Sequence, residues 1–167
     1  MLIELRKLKV IKALSEETSC YTAEIWIDGA LAFLASNRGH GGADDFRQKG
    51  TLTEAEVDQW LKAHRTARTY QGIDLDPSLE NEVAEKIDVA ESVSALRRRL
   101  RTNIVTIEDG AVYSYPLKKR PPDPVIAAIR IKRPAAEILN GADDARLLAA
   151  ARLILDADNA ASGSVPL

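Results

Sequence analysis

Two Asp-Gly dipeptides, Asp28-Gly29 and Asp109-Gly110, each sit between short runs rich in apolar and β-branched residues, and they constrain this chain more than any other feature. Asp-Gly supplies the two left-handed positions of a type I′ turn, whose twist matches that of the strands it joins. Residues 20–36 therefore read as a hairpin, with Tyr21, Ala23, Ile25 and Ile27 alternating against Thr22, Glu24 and Trp26. This turn pairs Ile27 with Ala30 and Ile25 with Ala32. Residues 103–115 read as a second hairpin, pairing Ile107 with Val112 and Val105 with Ser114. The fragments 27–31 and 108–112 share this grammar, but their flanks do not repeat, so a duplication is not implied. Residues 2–14 read as a further strand, although Leu2, Leu5, Leu8 and Ile11 also fit helical spacing.

Helical signals lie between and after the hairpins. Thr53-Glu54-Ala55-Glu56 has capping-box spacing and opens a helix over about 54–67, with Val57, Trp60, Leu61 and His64 on one face. Asp74-Leu75-Asp76-Pro77-Ser78 punctuates the chain before a longer helix starting at Pro77 or Leu79. Its apolar stripe is Leu79, Val83, Ile87, Ala90, Val93, Leu96 and Leu100, and its charges run from Glu80, Glu82 and Glu85 to Arg97, Arg98, Arg99 and Arg101, the order the helix dipole favours. Residues 116–124 read as an extended, exposed connector because they hold four prolines. Residues 125–131 and 135–139 read as short strands. Asn140-Gly141 then turns the chain into an Ala/Leu-rich helix over about 143–157, and residues 159–167 read as a flexible tail.

The chain has 167 residues, enough for one domain with a real core, and its 46% hydrophobic and 29% charged composition is that of a globular protein. A lone cysteine, Cys20, rules out an intramolecular disulfide and fits a reducing, cytoplasmic setting. Residues 1–14 mix apolar side chains with Arg6, Lys7, Lys9 and Lys12, which suits neither a signal peptide nor a membrane span. The net charge of −2 conceals a strong asymmetry. Residues 51–92 carry ten acidic against four basic side chains, and residues 97–133 carry ten basic against three acidic ones. The basic set is Arg97, Arg98, Arg99, Arg101, Lys118, Lys119, Arg120, Arg130, Lys132 and Arg133. Clustered cations of this kind satisfy phosphate contacts, but aromatic residues are only 5% of the chain and no nucleic-acid-binding signature accompanies them, so capping and solvation compete with that reading.

The candidate binding site is the loop Asn37-Arg38-Gly39-His40-Gly41-Gly42-Ala43-Asp44-Asp45, which holds three of the nine glycines and one of the two histidines. Its backbone amides could form an anion nest with Arg38 adding charge, although no phosphate-binding fingerprint is present. The competing reading is a bulged strand exit in which Asn37 and Asp44 satisfy local backbone groups. His40, Asp44 and Asp45, with His64, are metal-ligand types, but without a recognised spacing a solvated histidine is the simpler reading, and no metal or cofactor is expected. Cys20 has no histidine near it in sequence and reads as a small buried thiol. Glu16-Glu17 and Asp143-Asp144 read as helix or turn caps. No catalytic residues emerge.

Three pieces taken in order, Leu14-Ser15-Glu16-Glu17-Thr18, Ala23-Glu24-Ile25-Trp26-Ile27-Asp28-Gly29 and Ser36-Asn37-Arg38-Gly39-His40-Gly41-Gly42-Ala43-Asp44, resemble a loose group of small uncharacterised proteins of bacteriophages and mobile elements. Ile138-Leu139-Asn140-Gly141 ahead of a helix resembles that group too, so the likeness covers mainly residues 8–45 and 134–155. It implies a phage or prophage context and no activity.

The resulting expectation is one α+β domain over residues 1–158, with antiparallel hairpins forming a sheet packed against two central helices and a C-terminal helix. The leading functional expectation is a non-catalytic interaction module, a phage or mobile-element accessory protein that binds a host or phage macromolecule through a protein partner, with no membrane association. The alternative is a nucleic-acid or nucleotide-phosphate binder using the basic 97–133 segment and the glycine loop.

Overall fold

The computed structural model describes residues 1–70 and 72–162 and is α+β, with four α-helices and antiparallel sheets. The chain divides into two compact units. The first comprises Met1–Thr69 with Ile73–Ile87, and the second comprises Tyr70–Gly72 with the chain from Asp88 onward.

In the first unit, β1 (Ile3–Val10), β2 (Tyr21–Ile27), β3 (Ala30–Asn37) and β4 (Asp45–Gln48) form an antiparallel sheet in chain order. Asp28 and Gly29 take φ of 49° and 82°, the two left-handed positions that a type I′ turn requires. The turn sets Ile27 opposite Ala30, as the sequence suggests, but a bulge then shifts the ladder so that Ile25 faces Phe33 and not Ala32. One extra residue in β3 lets Ala32 and Phe33 both be buried. The alternation in β2 holds throughout, with Tyr21, Ala23, Ile25 and Ile27 inward. They pack with Ile3 and Phe33 against Val57 and Leu61 of α1 (Glu54–His64) and Leu79, Val83 and Ile87 of α2 (Leu79–Leu100). α1 begins on the expected capping box: Glu56 N–H donates to Thr53 Oγ1, and Thr53 N–H donates to Glu56 Oε2 at 2.8 Å. It ends at His64, three residues short of the expected limit. The chain then enters β5 (Arg68–Tyr70) and β6 (Ile73–Leu75), a small two-stranded sheet that the sequence reading did not anticipate.

In the second unit, β7 (Asn103–Glu108) pairs with β8 (Ala111–Pro116) in the expected register about Asp109-Gly110, and β9 (Glu137–Ile138) joins the other side of β7. Val105 and Ile107 pack with Leu96 and Leu139 and with Leu147 and Ala150 of α4 (Asp144–Ser162). α4 covers residues 159–162, where a tail was expected, while residues 163–167 lie outside the described residues.

The expected strand over 125–131 is instead a helix, α3 (Pro122–Lys132), which also takes the last three residues of the expected 116–124 connector, while Pro116 ends β8 and residues 117–121 form a turn between the two, exposed from Lys118 onward. Of the four prolines that suggest extended backbone, Pro121 is the N-cap and Pro122 and Pro124 lie in the first turn, where a missing N–H costs no intrahelical bond and a fixed φ near −65° is already helical. Residues 135–139 likewise contribute only the two-residue β9. Among the described residues, no helix is long and apolar enough to cross a membrane.

Candidate functional site

Asn37 organises the glycine loop. Its Oδ1 accepts from Thr18 Oγ1 at 3.0 Å and from Gly39 N–H at 2.8 Å, and its Nδ2 donates to Gly42 O and Asp44 Oδ1, both at 2.8 Å. The Gly39 carbonyl accepts from the amides of Glu16, Glu17 and Thr18 at 3.0, 3.0 and 3.4 Å. Gly41 N–H donates to Thr18 Oγ1 at 3.3 Å. Gly39 is buried with φ +87°, and a Cβ there would collide with the Leu14 carbonyl oxygen. The loop is thus closed onto the β1–β2 connection, with the Gly39 and Gly41 amides turned inward to protein oxygens.

Asp44 ties the loop down at its far end. Tyr21 Oη donates to Asp44 Oδ2 at 2.5 Å, and Asp44 N–H donates to Glu80 Oε1 at 3.1 Å. Burial raises the Asp44 pKa above the usual carboxylate value, against the lowering effect of the hydrogen bonds from Tyr21 and Asn37. Burial also pushes the Tyr21 phenol up, and its bond to Asp44 adds to this. Glu54 is raised by burial and then by Asp58, Glu80 and Asp44, which marks the neighbourhood as negative. A phosphate would meet the bonded Gly39 and Gly41 amides and like charge here. Arg38 and His40 point into solvent, with His40 Nδ1 3.2 Å from Glu16 Oε2. His64 is stacked on Trp60 in α1, with its Nδ1 at 2.8 Å from the Trp60 carbonyl, and does not join His40 and Asp44. Among the described residues, no three metal-ligating side chains come together.

Other candidates take structural places. Cys20 is buried, Asp143 caps α4 by accepting from Arg146 N–H at 2.8 Å, and Asp144 pairs with Arg97 at 2.7 Å. Glu16 and Glu17 serve the Gly39 carbonyl through their amides rather than opening a helix.

The basic residues divide. Arg97 is held by Asp144, and Arg98 donates to Ser94 Oγ at 2.9 Å. Lys118, Arg120, Lys132 and Arg133 instead line one cavity of about 770 Å³ between the end of β8, the turn after it and α3. Its apolar lining is Pro116, Pro124, Val125, Ala128 and Ile129, and Tyr115 lines it too. The sequence reading missed these wall residues, although the signal was present: Val125–Ile131 holds six apolar residues in seven, flanked on both sides by cations.

A carboxylate behind the cavity fixes two of its lining groups. Glu108 is 9% exposed, and its Oε1 accepts from Thr106 Oγ1 at 2.5 Å and from Tyr115 Oη at 2.7 Å, while Oε2 lies 3.4 Å from Arg133 Nε. Hydrogen bonds from Thr106 and Tyr115, with Arg133 nearby, hold the Glu108 carboxyl below the usual carboxylate value. The same bond raises the Tyr115 phenol, so Tyr115 stays a neutral donor to Glu108. Lys118 and Lys132 make no ion pair among the described residues.

The chain matches no family model, no curated protein and no solved structure.

Proposed function

We propose that this chain is a non-catalytic interaction module whose working surface is the groove between β8 and α3, and that the groove takes an acidic segment bearing apolar side chains from a protein partner. The observation that carries this reading is the mismatch between the composition of α3 and its burial. Of its apolar residues only Ile129 is buried, Ile131 is 83% exposed, and Val125 and Ala128 line a groove rimmed by cations. A helix this apolar ordinarily buries a full face, and exposed apolar surface with a charged rim is the anatomy of a protein interface. The rim is positive, so complementarity selects an acidic partner.

A second reading, nucleic-acid binding, is favoured by one observation: Arg99, Arg101, Lys118, Lys119, Arg130 and Lys132 make no ion pair among the described residues. It ranks below the first because stacking platforms are scarce, with Tyr115 the sole aromatic residue on the groove. The setting we propose, a cytoplasmic accessory protein of a phage or mobile element, rests on the resemblance of residues 8–45 and 134–155 and on the lone cysteine.

Fluorescence anisotropy tests the reading with three labelled probes: a peptide of about a dozen residues rich in Glu and Leu, its counterpart with Lys for Glu, and a single-stranded oligonucleotide. The proposal expects saturable binding of the first probe alone, lost on charge reversal at Lys132 and Arg133. Binding of the oligonucleotide alone would move the second reading to the front, and no binding of any probe would reject both.

A further inference from the structure

The turn that closes one end of the groove is built from the wrong residues for its shape. Arg120 N–H donates to Leu117 O at 2.9 Å, and the two residues between them, Lys118 and Lys119, have φ of 48° and 65°. Two successive left-handed residues inside such a hydrogen bond make a type I′ turn, the geometry of Asp28-Gly29 and Asp109-Gly110 in the same chain. Those two turns use the residue pair the geometry favours. The third holds two lysines, whose Cβ atoms crowd the backbone at positive φ.

The surrounding structure enforces this conformation. Leu117 N–H donates to Thr102 O at 3.0 Å, which anchors the turn's first residue. Arg120 Nε donates to Leu117 O at 3.2 Å and Nη2 to Pro116 O at 3.5 Å, so the Arg120 side chain is occupied in fastening the turn. Lys118 and Lys119 are both exposed and have no carboxylate partner among the described residues, and Lys118 lines the groove. An unfavourable backbone persists where the structure over-determines it, and such positions gather at ligand-binding sites. Asn-Gly would suit this turn better on conformational grounds alone.

We infer that Lys118 and Lys119 are the specificity-determining residues of the groove: the turn holds the Lys118 ammonium on the groove and an exposed second ammonium on the next residue, to receive carboxylates of the bound acidic segment, at a cost to the stability of the free protein. This rests on the groove reading above and adds to it the residues that discriminate charge. Arg120 is then a positioning residue, and Lys132 and Arg133 supply the opposite rim.

Two double variants of the full chain separate the contributions. Lys118→Asn with Lys119→Gly removes both the charge and the strain, whereas Lys118→Gln with Lys119→Gln removes the charge and keeps the strain. The inference expects the first to melt about 2–4 °C higher than the wild type and the second to melt close to it. Both should bind the Glu- and Leu-rich peptide about tenfold more weakly, with a shallower dependence on salt. Wild-type binding of the peptide with undiminished affinity in both variants would overturn the inference and leave the groove reading standing. A failure of the wild type to bind the peptide would remove the groove reading and this inference with it.

Discussion

The Tyr21 hydroxyl donates to the Asp44 carboxylate at 2.5 Å, joining the first residue of β2 to the loop that follows β3. With Asn37 it makes that loop a structural clasp. Tyr21→Phe should cost about 1–2 kcal/mol by depriving a half-buried carboxylate of a donor, and Asn37→Ala, which loses several partners, about 2–3 kcal/mol. Arg38→Ala combined with His40→Ala should stay within about 0.5 kcal/mol, since both side chains face solvent. Chemical denaturation checks all three, and an unchanged midpoint for Asn37→Ala would refute the clasp.

Glycines in the same loop should respond in opposite directions. Gly39→Ala combines a positive φ with a collision against the Leu14 carbonyl, and a loss of more than about 3 kcal/mol is expected. Gly42 has open space around its Cβ position and no positive φ, so Gly42→Ala should be neutral or stabilising by up to about 1 kcal/mol. Melting curves of the two variants side by side would show this contrast.

Local signals that act through the backbone were legible in the sequence. Asp-Gly at 28–29 and 109–110 located both hairpins, and the Thr53–Glu56 spacing located the start of α1. The β3 bulge was not legible, because the burial of Ala32 and Phe33 together is decided by packing against the helices. α3 was missed because Pro121-Pro122-Asp123-Pro124 suits both an extended connector and a first helical turn, and only the apolar run after it separates the two. The glycine loop stands out by composition, yet whether the Gly41 amide faces outward to a ligand or inward to Thr18 depends on a contact 23 residues away. The groove escaped notice for the same reason, since it joins cations and apolar residues from both ends of α3.

Glu108 sets an expected pH dependence. Its carboxyl lies below the ordinary value of 4.5 in the folded chain, chiefly through hydrogen bonds from Thr106 and Tyr115, so the folded state favours the ionised form. That stabilisation is fully present above the unfolded pKa and is lost as pH falls through the lower folded value. The difference in melting temperature between the wild type and Glu108→Gln should be constant from about pH 8 to pH 5 and should narrow in more acid solution. A difference that grows toward acid pH would contradict this assignment.

Asn140 plays in the second unit the part that Asn37 plays in the first. Its Oδ1 accepts from Val105 N–H at 2.9 Å, and its Nδ2 donates to Asn103 O at 2.9 Å and Leu100 O at 3.3 Å. Asn140→Asp should destabilise more than Asn140→Ser, because a carboxylate would face two carbonyl oxygens. Native-state hydrogen exchange should show the Val105 amide losing protection in both variants.

The role of the groove between β8 and α3 is defined by where an acidic segment binds. Chemical-shift mapping on the labelled full chain, titrated with the Glu- and Leu-rich peptide, measures this residue by residue. Saturable shifts are expected at Tyr115, Lys118, Lys119, Val125, Ala128, Lys132 and Arg133, with residues 37–45 unmoved. Shifts centred on residues 37–45, or none along β8 and α3 at saturating peptide, would contradict the groove reading.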